Sequence, residues 1–154
     1  SDENRKPDDS NPKGYFVYDP VMSIHKNNSW LNLAKNKSVK VVAPLLKFLV
    51  PQYRYKVIFM NRDLTEVIKS QQKMIGKNTD ILPVKLFEAY NKQLSQIETW
   101  KNREPGVELI YVDYKDALFN TKNVLEKVTS FIGVELDNNA MEACVDKSLY
   151  RNKV

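Results

Sequence analysis

Cysteine, histidine and glycine are scarce in this 154-residue chain, and each scarcity removes a class of chemistry. The single cysteine, Cys144, excludes an internal disulfide and a cysteine metal cluster. Sparse cysteine points to a reducing compartment, the cytoplasm. With one cysteine and one histidine, His25, no zinc-ligand spacing exists, and no metal is expected. The four glycines, Gly14, Gly76, Gly106 and Gly133, stand apart, so no glycine-rich loop is present to cradle a phosphate with backbone N–H groups. No apolar run approaches the roughly 18 residues of a membrane span, and no signal-peptide pattern is seen.

What is present describes a globular chain. Hydrophobic residues make up 42% and charged residues 28%, and the length suits one domain over residues 1–154. Residues 1–13 are polar and proline-punctuated, a loop or an arm. The net charge of +5 favours anionic partners. The lysines are scattered rather than clustered, which favours a small phosphorylated ligand over nucleic acid.

The most informative stretch is Tyr55 to Lys73. Tyr55-Lys56-Val57-Ile58-Phe59-Met60 is a nearly unbroken apolar run, which predicts a strand of a parallel sheet buried on both faces. At Arg62-Asp63 the pattern changes to helical spacing, with Leu64, Val67, Ile68, Met74 and Ile75 on one side. Asp63 stands where a carboxylate caps a helix. Tight strand-to-helix turns at the carboxyl edge of a parallel sheet are where α/β proteins place anions. Arg62 offers a bidentate fork there. Ser70, two helical turns past Asp63, could add a hydroxyl. The competing reading is an Arg–Asp surface pair beside an incidental serine.

Around this stretch the chain alternates strands and helices, which predicts a parallel, doubly wound α/β sheet. Pro20 suits a first helical position, followed by Val21, Ile24 and Trp30 as buried candidates. Ser38 to Ala43 reads as a strand. Pro83 opens the longest helix, to about Arg103, with Phe87, Tyr90, Leu94, Ile97 and Trp100 as its core face. Val107 to Val112 is a second buried strand, with Asp113-Tyr114 at its end. Thr121 is placed to cap a helix that Gly133 ends, and Asp137 or Asn138 opens a last short one. His25 is either a general base or a solvated surface residue.

Strand, Arg-Asp, then a serine eight residues after the arginine resembles the 3′-phosphate motif of the sulfotransferases that use 3′-phosphoadenosine 5′-phosphosulfate (PAPS). Asn11-Pro12-Lys13-Gly14-Tyr15, Val39-Lys40-Val41-Val42, VIFMNRDLTEVIKSQQKM, LIYVDY and Ser148-Leu149-Tyr150-Arg151-Asn152 extend the likeness in the same order, to a bacterial branch of that family. The resemblance implies a three-layer, P-loop-like α/β fold and transfer of a sulfonate from PAPS to a hydroxyl or amine of a small-molecule or carbohydrate acceptor. It implies that Arg62, Ser70, Tyr150 and Arg151 bind the nucleotide, with Lys40 on the transferring sulfonate. Val42 stands where animal relatives carry the basic histidine, which leaves His25 as the only histidine candidate. The family's first strand and its 5′-phosphosulfate loop have no counterpart in the sequence. That departure leaves two alternatives open, a binding remnant that transfers nothing and a related P-loop kinase or NTPase. It also implies an open sheet edge prone to self-association.

Overall fold

The computed structural model describes residues 7, 12–14, 16–74, 76 and 83–150. Most of the polar arm, Tyr15, Ile75, all of the break after Gly76, and Arg151 with Asn152 lie outside the described residues. The chain is a mixed α/β protein forming two compact units, one from Ser1–Tyr53 with Lys92–Glu104 and the other from Arg54–Asn91 with Pro105–Val154.

The second unit holds the sheet. Strand β1 (Tyr55–Asn61) runs parallel to β2 (Val107–Asp113), with Tyr55 opposite Val107 and Asn61 opposite Asp113. Both are rich in the β-branched and aromatic residues that suit a pleated surface. Between them come helix α1 (Leu64–Met74) and helix α2 (Val84–Arg103), whose residues from Lys92 onward belong to the first unit. After β2 come α3 (Tyr114–Phe119), α4 (Thr121–Ile132) and α5 (Asn138–Ala143). Helix α4 packs against β1, α3 and α5. Its C-terminal carbonyls at Phe131 and Ile132 accept from Lys56 Nζ of β1 at 2.8 and 3.0 Å. A lysine there also meets the negative end of the helix dipole. Gly133 then closes α4 at φ +74°, a left-handed conformation that costs glycine little.

Several expectations are corrected. The strands are not buried on both faces: Val57 and Phe59 are half-buried, while Ile58 is 39% and Met60 49% exposed. Among the described residues the sheet has two strands, and the helices that contact it leave part of its faces uncovered. Residues 38–42 form no strand, because no neighbouring strand pairs with them, and Ala43–Phe48 is a 3-10 helix. Thr121 is not a cap; it is the first residue of α4, and its hydroxyl donates back to the carbonyl of Ala117 at 3.0 Å. Met74, expected on the buried side of α1, is exposed.

The first unit is built of 3-10 turns, Asp19–Ser23, Ser29–Ala34 and Ala43–Phe48, with the later part of α2. Val21, Ile24, Trp30, Leu31, Leu46, Ile97 and Trp100 are its buried residues, with Val17 and Leu49. No helix among the described residues is long and apolar enough to cross a membrane.

Candidate functional site

The two parallel strands end side by side, and each passes straight into a helix through an aspartate. Asp63 Oδ1 accepts from the backbone N–H of Thr65 at 2.8 Å and Glu66 at 3.2 Å. Asp113 Oδ1 accepts from Lys115 N–H at 2.8 Å and Asp116 N–H at 3.4 Å. Two backbone N–H groups at each helix N-terminus are therefore spent on the protein's own carboxylates. An anion at this edge would not be held by those amides.

Between the two turns lies a cleft of about 300 Å³, lined by Asn61, Arg62, Asp63, Glu66, Asp113, Tyr114 and Lys115. Glu66 is its unexpected residue. A glutamate three after an aspartate cap has the spacing of a capping box and would be expected to reach back to the cap. Here it is fully buried and turns to three other groups. Arg62 Nε donates to its Oε2 at 3.0 Å, the hydroxyl of Tyr150 donates to Oε1 at 2.5 Å, and Lys115 Nζ stands 3.2 Å from Oε1. Burial alone would push the Glu66 carboxyl up. The hydrogen bonds from Tyr150, Arg62 and Lys115, with the Lys115 charge, outweigh it and hold the group at about 2 against an ordinary 4.5. Its bond from Tyr150 holds that phenol's proton and raises its pKa, and the contact with Glu66 raises that of Lys115.

Arg62 is fixed on more than one side. Its guanidinium carbon sits 4.6 Å from the centre of the Tyr114 ring and 5.8 Å from that of Tyr150. Such cation–π contact suits a guanidinium. Its Nε is spent on Glu66, while its two terminal nitrogens have no hydrogen-bond partner among the described residues. The cleft thus presents a held guanidinium with unused donors, alongside Lys115. It also contains the carboxylates of Asp63 and Asp113, so the anion attraction is local to Arg62 rather than a property of the whole lining.

The expected residues fall differently. Arg62 and Tyr150 are brought together by Glu66, across 84 residues of sequence in the case of Tyr150. Ser70 is half-buried on α1 and does not line the cleft. Arg151 lies outside the described residues. Lys40 belongs to the first unit, exposed in an irregular segment at the rim of an apolar cleft of about 440 Å³ walled by Phe16, Tyr18, Trp30 and Leu33. His25, also in the first unit, is exposed and stands 5.9 Å from the Phe48 ring, with no carboxylate or hydroxyl bonded to it among the described residues. Among the described residues no group of three or more His, Cys, Asp or Glu could hold a metal ion.

The reading from residues missed Glu66 and Lys115. The Arg62–Glu66 spacing of four, across the strand-to-helix turn, was the one local signal available. Comparisons with family models, with curated proteins and with solved structures give no match.

Proposed function

We propose that the cleft at the ends of β1 and β2 takes the 3′-phosphate of a PAPS-type nucleotide, in a sulfotransferase-like α/β domain whose reaction moves a sulfonate to a hydroxyl or amine acceptor. The observation that carries this reading is Arg62: held through Nε and by two tyrosine rings, with both terminal nitrogens unspent among the described residues, beside a cleft. A fork held this way loses little freedom on meeting a phosphate, and each charge-assisted bond is strong. Its place at the carboxyl ends of parallel strands is where open α/β sheets bind ligands. The three-layer, P-loop-like architecture and the activity itself rest on the ordered sequence motifs.

The fit is to one end of the nucleotide. Arg62 suits the 3′-phosphate, with Lys115 nearby, and Tyr150 serves by holding Glu66. Among the described residues nothing forms a backbone cradle for a 5′-phosphosulfate, and Lys40 is not on a strand that would aim it. When bound, PAPS would supply the sulfonate; no step of its transfer is assigned to these side chains. Those two observations favour a second reading, a domain that binds the nucleotide without transferring from it.

Equilibrium binding decides the first point. Wild type is expected to bind adenosine 3′,5′-bisphosphate more tightly than adenosine 5′-monophosphate, and Arg62→Ala to lose that preference. Equal affinity of wild type for both nucleotides would contradict the proposal. Turnover with labelled PAPS then separates transfer from binding alone.

A further inference from the structure

Glu66 presents two opposite expectations. As a negative charge lining the cleft it should repel an anion, and removing the charge should tighten binding. As the anchor of Arg62 Nε it should aid the anion, and removing it should weaken binding. The structure favours the second. Glu66 is fully buried, and three donors from three separate places in the chain converge on its two oxygens: Arg62 after β1, Lys115 in α3 and Tyr150 near the end of the described chain. Its charge is thus largely answered before any ligand arrives. Arg62, by contrast, depends on it. Without the Nε bond the guanidinium keeps only ring contacts, and a long side chain regains rotamer freedom that binding must then remove.

We propose that Glu66 is a positioning residue, whose buried carboxylate fixes Arg62 so that the two terminal nitrogens face an incoming phosphate. The role rests on the reading of the cleft as an anion site. Lys115 and Tyr150 complete the arrangement by occupying the remaining capacity of the carboxylate. Without them Glu66 would be a buried acceptor with one partner.

The test is a double-mutant cycle on affinity for adenosine 3′,5′-bisphosphate, using wild type, Arg62→Ala, Glu66→Gln and the pair. Glu66→Gln keeps the shape and one acceptor while removing the charge. It is expected to weaken binding about 10-fold, the scale of one charge-assisted hydrogen bond. In the Arg62→Ala background the same change is expected to alter affinity less than about 2-fold, because a group acting through Arg62 has nothing left to act on. Unchanged or tighter binding by Glu66→Gln would overturn the role, and so would equal losses in both backgrounds. If wild type shows no dependence on Arg62, the anion reading itself fails, a result distinct from the other two. Should Glu66→Gln not fold, the wild-type arginine Nε spectrum still decides. The Arg62 Nε–H is expected to exchange with water markedly more slowly than that of the exposed Arg54, and equal exchange would overturn the proposal.

Discussion

Two of the clefts among the described residues hold their cations in contrasting ways. In the second unit, Arg62 and Lys115 meet a buried carboxylate, and Arg62 lies against two tyrosine rings. In the first unit, Lys37 and Lys40 line a cleft of aromatic and aliphatic walls, with no carboxylate among its described lining residues. An exposed ammonium with no partner stays hydrated and mobile, whereas a guanidinium tied at Nε is already in place. The difference teaches that the charge of a lining residue says less about a site than what holds that charge. The apolar cleft depends on its walls, and the polar one on a single glutamate.

The largest effect should come from the walls. Trp30→Ala removes a buried indole and is expected to destabilise the first unit by about 3 kcal/mol, read from the midpoint of urea unfolding. A loss below about 1 kcal/mol would mean the wall is not part of its core. Next is Glu66→Ala, which strips three donors of their common acceptor. Arg62 and Lys115 are partly exposed and regain water, so the expected loss is about 2 kcal/mol, at the lower end for a buried ionic cluster.

The same glutamate makes the polar cleft sensitive to acid. A carboxyl held at about 2 when folded and near 4.5 when free binds its proton more readily in the unfolded chain. Its contribution is therefore complete above pH 4.5 and is lost as the pH falls toward 2. Tyr150→Phe removes one of the groups that lower that pKa, and should move the acid-unfolding midpoint to higher pH. An unmoved midpoint in a pH-jump fluorescence titration would show that Glu66 does not govern it. At the small end, Lys40→Ala should change stability by less than about 0.5 kcal/mol and leave affinity for adenosine 3′,5′-bisphosphate unchanged. A clear loss of affinity would join Lys40 to the nucleotide site and erase the contrast between the clefts.

How much of this was legible in the sequence varies by element. The two strands, the Asp63 cap, the long helix from residue 84 and the Gly133 stop were readable because each is set by local chemistry: β-branched runs, a short acceptor, 3.6-residue spacing, a left-handed end. The burial of β1 was misread because an apolar run reports what a strand tolerates, while its exposure depends on how many strands and helices surround it. Residues 38–42 failed as a strand for the same reason, since pairing is a property of the neighbour. In the site, Arg62 and Tyr150 were expected for a phosphate, yet the residue that joins them was not. Glu66 carries no local signal beyond its spacing from Arg62, and only folding brings Lys115 and Tyr150 to it.

The terminal nitrogens of Arg62, unpartnered among the described residues, are the groups expected to receive an anion. The direct measurement is the arginine side-chain 1H–15N spectrum recorded during titration with adenosine 3′,5′-bisphosphate. The Arg62 Nη resonances should shift and sharpen as the ligand is added, while Nε, already bonded to Glu66, stays nearly still. Nη signals that do not move at saturating nucleotide, or movement confined to other arginines, would contradict that expectation.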